Sequence, residues 1–166
     1  MSTDAIIGRI KEHYSRECEK DPSGEMPKYR AWHSREGLIG WEDFFVPEEE
    51  HYETVMGAVK PDDVVFDIGA GDLRLDLMLC EKVKRVYAVE INPVTLAGAL
   101  QNIGFDMPKN LITIRGNAFD IGLPLDTTFV LCLMIHRQHE IPTEWLLGRA
   151  SIVAHHDGLW IREAWE

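Results

Sequence analysis

The stretch from Asp63 to Glu90 limits the fold of this chain more than any other. Val64 to Ile68 is an apolar run interrupted only by Asp67, the pattern of a strand buried on both faces of a parallel sheet. Gly69 and Gly71 follow, then an amphipathic segment with Leu75, Leu79 and Val83 at helical spacing. A second apolar run, Val86 to Val89, ends in an acid, Glu90. Strand, glycine turn, helix, strand and acid make a βαβ nucleotide-binding unit. A dinucleotide fingerprint requires G-x-G-x-x-G, and Arg74 stands in the third glycine place, so that pattern fails.

The turn Asp67-Ile68-Gly69-Ala70-Gly71 resembles the first motif of class I S-adenosylmethionine (SAM) dependent methyltransferases, acid-x-Gly-x-Gly. SAM carries a methionine ammonium instead of a pyrophosphate, and a strand-end acid can counter its charge. The resemblance implies that Asp67 helps to hold the methionine end and that Gly69, Ala70 and Gly71 lie against the cofactor. It also implies that Glu90, with Ile91 beside it, takes the ribose. Glu90 lies 19 residues beyond Gly71, near the spacing of about 20 that places a ribose acid in such units. The chain departs from the pattern at Leu73, where the family often has a third glycine.

Composition sets the outer limits. At 166 residues the chain is the size of one domain. Its net charge is −11, from 17 basic and 28 acidic residues. No basic block interrupts the acidic field, which argues against a nucleic-acid partner. Cys18, Cys80 and Cys132 match no metal spacing, and no metal site is expected. The thiols read as reduced core groups of a cytoplasmic protein. Neither a secretory apolar core nor a membrane-length apolar run is found.

In chain order, Thr3 or Asp4 can cap a first helix with Ile6, Ile7, Ile10, Tyr14 and Cys18 at helical spacing. Residues 25–46 form a long irregular segment with Tyr29, Trp32, Trp41, Phe44 and Phe45. Loops of that length are usually functional or mobile, so residues 1–46 are read as a helix plus an aromatic lid, and 47–166 as the SAM-binding part of one domain. The alternative for these aromatics is plain cover for the sheet edge. Pro47 opens the next helix, and Glu48 to Glu50 suit its positive end. Phe45-Val46-Pro47 before that helix looks like the leading segment of small archaeal non-SET protein lysine methyltransferases, which implies a cofactor contact for Phe45.

Beyond Glu90, Asn92-Pro93 starts a helix and Leu111 to Ile114 forms a third strand. Gly116-Asn117-Ala118-Phe119 matches the loop that lies on the adenine in the family. Asn117 replaces the usual acid there, its side-chain oxygen being a competent acceptor, and Ala118 gives apolar cover. Phe129 to Ile135 reads as a central fourth strand and ends in His136-Arg137-Gln138-His139-Glu140. Ligands of open α/β sheets bind at strand carboxyl ends, so His136 and His139 are candidate catalytic groups acting on the acceptor; a solvated loop start is the alternative. An Asn/Asp-Pro-Pro-aromatic motif and a Pro-Cys nucleophile are both absent here.

A last helix is expected from Ile141 to Ala154, a turn at His155 to Gly158, and a fifth strand from Leu159 to Trp165. On this reading His155 and His156 enter the fifth strand at its amino end, away from the cofactor. The expected fold is a doubly wound α/β domain, a mainly parallel five-stranded sheet of order 3-2-1-4-5 flanked by helices. It would lack the strand-six and strand-seven hairpin usual in the family. Strand five would then be an edge, covered by the N-terminal segment or by a second copy in a homodimer. The implied function is methyl transfer from SAM to a nitrogen or oxygen on a protein or small molecule. The alternatives are a SAM-binding module without catalysis and, opposed by Arg74, a dinucleotide oxidoreductase.

Overall fold

The computed structural model describes residues 1–19, 51–133, 141–146, 148–155 and 158–162. Among these described residues, six strands form one sheet of order β3-β2-β1-β4-β5-β6. β1 (Val64–Ile68), β2 (Arg85–Glu90), β3 (Leu111–Arg115), β4 (Phe129–Cys132) and β5 (Ala150–His155) run parallel. β6 (Gly158–Arg162) returns antiparallel along β5, with Ser151 opposite Arg162 and His155 opposite Gly158. The parallel order 3-2-1-4-5 is the expected one, and its direction reverses at β1.

Alternation along the strands sends side chains into two layers. One face carries Val65, Val86, Phe129, Leu131 and Ile152 against four helices. These are α1 (Thr3–Glu19), α2 (Tyr52–Ala58), α3 (Arg74–Cys80) and α4 (Pro93–Ile103). The other face carries Phe66, Ile68, Val89, Val130 and Cys132 against α5 (Ala118–Ile121) and α6 (Thr143–Leu146). There Phe119 stacks on Trp145 at 5.9 Å between centroids, and Phe66 meets the same indole edge-on. Every residue of β1 is buried; each large apolar side chain so placed contributes about 1.5–3 kcal/mol. Ile6 and Ile10 join the first layer, so α1 shares the core of the strands rather than forming a layer of its own. Its first turn is capped by Ser2, whose Oγ accepts the Ala5 N–H at 3.4 Å. The aromatic segment assigned as a lid lies outside the described residues.

The far side of the sheet departs from expectation. The helix expected over 141–154 is only α6, because Gly148 adopts the left-handed conformation at φ 69° and residues 150–155 pair with β4. The strand expected at Leu159 is therefore β6, and the fifth strand is Ala150–His155. β5 is therefore not an edge, whereas the strand expected at Leu159, as β6, is the outer strand of the sheet among the described residues. His155 moves too. It ends β5 at the carboxyl edge of the parallel sheet, the side opposite to the one expected; His156 lies outside the described residues. Among the described residues, no cluster of three or more metal-ligating side chains occurs, and no helix is long and apolar enough to cross a membrane.

Candidate functional site

The carboxyl ends of β1, β2 and β3 meet at one residue, Glu90. β1 leads into a turn whose first amides, Gly69 N–H and Ala70 N–H, both donate to the Val89 carbonyl, at 2.9 and 3.0 Å. Gly69 and Gly71 take φ of 81° and 59°, conformations that cost a side chain about 1–2 kcal/mol. The turn then delivers the Gly71 N–H to Glu90 Oε2 at 2.8 Å, while Oε1 accepts the Asn92 N–H at 2.6 Å. From β3, the Gly116 N–H donates to the Glu90 carbonyl at 3.0 Å. Burial raises the Glu90 pKa, and the bonds from Asn92, Gly71 and Ile91 backbone oppose that rise. Asn92, fully buried, caps α4 by accepting from Val94 and Thr95 N–H at 2.9 and 3.3 Å, with Pro93 in the first turn.

The remaining expected cofactor residues sit on the same edge. Asp67 is the penultimate residue of β1 and is buried. Ile91 and Asn117 are half-buried, and Ala118 is buried. Asn117 has a task the sequence did not suggest: its side-chain oxygen caps α5 by accepting the Phe119 N–H at 3.1 Å. A side-chain amide oxygen has two lone pairs, so this bond does not by itself exhaust its accepting capacity. Phe45, His136 and His139 lie outside the described residues.

Three features escaped the sequence reading. Leu73, where the family often has glycine, is fully buried with φ 66°, the sole non-glycine at positive φ among the described residues. α3 starts directly after it, so the missing glycine is absorbed as backbone strain rather than by a shifted helix. Arg74 donates through Nε to both oxygens of Asp72, at 3.0 and 2.9 Å, in an ion pair largely withdrawn from water. Asp76, fully buried, faces Asp67. An acid between Leu75 and Leu77 was the only available hint of that pairing.

Glycine turn, strand-two acid and sheet reversal define a doubly wound nucleotide-binding fold of class I type. Comparison with known proteins narrows it. No family model matches the sequence. Over 86 residues the chain is 34% identical to a Methanosarcina barkeri protein named a probable ribosomal RNA small subunit methyltransferase A, covering 51% of this chain and 29% of that one. It is 31% identical over 86 residues to a protein-lysine N-methyltransferase of Saccharolobus islandicus, covering 48% of this chain and 51% of the relative. In structure it is similar to Methanocaldococcus jannaschii TYW2, solved with AdoMet, at a TM-score of 0.54 and 22% identity over 64% of this chain and 50% of that one. The fold is that of the class I SAM-dependent methyltransferases. The chain spans about 29% of the length of the first of these relatives and about half of the second.

The expectation against a nucleic-acid partner is corrected by these findings. Relatives from Methanosarcina barkeri and Pyrobaculum islandicum are both named for ribosomal RNA. Net charge sums the whole surface, whereas an acceptor meets only the ground around the cofactor, so −11 does not decide the partner.

Proposed function

We propose that this chain binds SAM at the carboxyl edge of β1–β3 and transfers its methyl group to a nucleophilic nitrogen or oxygen. The carrying observation is Glu90: a buried carboxylate at the carboxyl end of β2, bonded to the Gly71 and Asn92 amides. In this reading Glu90 and Ile91 hold the ribose, and Gly69, Ala70 and Gly71 yield backbone space. Asp67 faces the methionine ammonium, Asn117 and Ala118 the adenine, and Phe45 closes over the cofactor. His136 and His139, which follow β4 in sequence, act on the acceptor. The structural similarity to a SAM-bound protein and the methyltransferase names of the relatives support the cofactor.

Methyl transfer is an in-line displacement at a sulfonium whose positive charge disappears as the bond forms. Alignment alone can supply about 7–11 kcal/mol in well-oriented cases. A base is needed only when the acceptor arrives protonated, as a lysine ammonium does, and histidine titrates in the range that permits it. The relatives' names span ribosomal RNA and protein lysine, so the acceptor is a nitrogen or oxygen on a protein, an RNA or a small molecule.

Calorimetry with SAM, S-adenosylhomocysteine and NAD tests the cofactor: the first two should bind and NAD should not. Methyl-labelled SAM with host extract, followed by protease and ribonuclease digestion, then sorts the acceptors. Binding without label transfer to any fraction would leave a non-catalytic SAM-binding protein. Replacing His136 and His139 together by Ala should lower turnover at least tenfold with SAM affinity unchanged; turnover within a few-fold of the parent removes them from the chemistry.

A further inference from the structure

We propose that Arg74 takes the methionine carboxylate of SAM, so that the site reads the amino-acid end of the cofactor as a zwitterion. This rests on the SAM reading above, which assigns the ammonium to Asp67 and names no partner for the carboxylate. Ammonium and carboxylate are borne by one carbon, so both partners must come from the same end of β1. Arg74 stands there. β1 ends at Ile68, the glycine turn follows, and Arg74 is the first residue of α3. Its side chain is 5% exposed, and a charge so far withdrawn from water must be paired. Asp72 holds it: Nε donates to both Asp72 oxygens at 3.0 and 2.9 Å, and the Arg74 N–H donates to Oδ1 at 3.3 Å. Side chain and backbone together make a clip that fixes the guanidinium beside the turn.

A guanidinium carries five N–H donors in a rigid fork. The tie to Asp72 runs through Nε, whereas Nη1 and Nη2 at the far end can meet a second carboxylate in two parallel bonds. A ligand carboxylate there would displace a weaker acceptor, since charge-assisted bonds are roughly twice as strong as neutral ones. The charges around the turn favour the same assignment. Asp67, Asp72, Asp76 and Glu90 come from the end of β1, the turn, the start of α3 and the end of β2. Four acids suit an ammonium and a sulfonium and repel a carboxylate. The next cations along the chain, Lys82, Lys84 and Arg85, stand where α3 has ended and β2 starts, at the opposite edge of the sheet. Arg115 ends β3, two strands from β1, about 10 Å across the sheet. The Tyr52 phenol of α2 lies in the fields of Asp72, Arg74, Asp76 and Asp67 together, so the guanidinium and the acid assigned to the ammonium act on one side chain.

A clip that only shapes the turn serves all ligands alike; one that meets the carboxylate serves only ligands that carry it. The test is calorimetry on wild type and Arg74→Gln with SAM, decarboxylated SAM and 5′-methylthioadenosine. Decarboxylated SAM keeps the ammonium and the sulfonium, and methylthioadenosine lacks the whole amino-acid end. Wild type should bind SAM about tenfold or more tightly than decarboxylated SAM. Arg74→Gln should lose that preference. It should bind decarboxylated SAM no more weakly than wild type does, because a cation has left a site that receives a cationic ligand, and methylthioadenosine with affinity unchanged. Should that variant not fold, Arg74→Lys keeps the charge without the planar fork and should lose part of the preference. Affinity of wild type for SAM equal to or below that for decarboxylated SAM would overturn the carboxylate assignment and keep the cofactor reading. Equal weakening of both ligands in Arg74→Gln, or an unchanged preference in either variant, would overturn it too. Failure of wild type to bind any of the three ligands overturns the cofactor reading itself.

Discussion

Glu90 Oε2 accepts the Gly71 amide proton at 2.8 Å, so the acid that ends β2 is tied to the turn that ends β1 before any ligand arrives. The bond holds the carboxylate in place and also makes the glycine turn depend on it.

Glu90→Ala should therefore do two things. Loss of charge-assisted ribose bonds, about 1.5–3 kcal/mol each, should weaken SAM binding at least tenfold. The Gly71 and Asn92 amides would lose their acceptor, lowering stability by about 1–3 kcal/mol each where water cannot replace it. Calorimetry and a urea melt read the two separately. Unchanged affinity in the folded variant would falsify the ribose assignment.

The two turn glycines separate backbone strain from steric exclusion. A Cβ at Gly71 would meet nothing closer than the Gly69 carbonyl oxygen at 4.0 Å, but φ is +59°. Gly71→Ala should thus cost about 1–2 kcal/mol of stability, about 2–8 °C in melting temperature for a chain of this size, and still bind SAM weakly. Gly69→Val, at φ 81°, adds a branched side chain on the cofactor side and should abolish binding. Normal SAM affinity for Gly69→Val counts against the motif.

Leu73 predicts an inversion of the usual order of substitutions. Removing its buried side chain should cost about 2–5 kcal/mol as alanine. Glycine leaves the same kind of cavity but is at ease at φ 66°. Leu73→Gly should then be more stable than Leu73→Ala by roughly 1 kcal/mol, whereas glycine in a helix is ordinarily the worse by about that amount. Chemical denaturation of the pair checks it; alanine the more stable would mean that Leu73 carries no strain.

The carboxyl pair sets a direction for stability against pH. Asp67 is raised from 3.8 to about 7, so between those values the folded state holds protons that the unfolded state has lost. Its contribution must then fall as pH rises from about 4 through 7. Asp76→Asn gives Asp67 an amide donor in place of a second acid. The variant should gain on wild type as pH rises, and be the more stable at pH 8. Thermal melts at several pH values test this, and parallel profiles for the two proteins would deny the coupling.

Local signals explain what the sequence disclosed. The runs Val64–Ile68 and Val86–Val89, the glycines between them and the cap Asn92-Pro93 each depend on neighbours along the chain, and each lies where expected. The region after β4 did not, because Trp145, Leu146 and Ala150 recur at helical spacing while the deciding interaction is non-local. Pairing with β4 turned residues 150–155 into a strand, and the left-handed Gly148 was its one local sign. Asp76 was missed for a similar reason: its neighbours in sequence are leucines, and only the packing of α3 on β1 puts a second acid beside it. The second use of the Asn117 oxygen, as a helix cap, was open to the same local reasoning that identified Asn92.

The reversal of strand order at β1 also has an evolutionary consequence. Phe45 apart, the groups proposed to grip the cofactor come from β1, β2, β3 and the turns and helix starts that follow them, on one side of the reversal. β4 and the β5–β6 hairpin occupy the other. Mutations on that second side can accumulate without loosening the grip on the methyl donor. A lineage built on such a plan can change what it modifies while keeping what it modifies with.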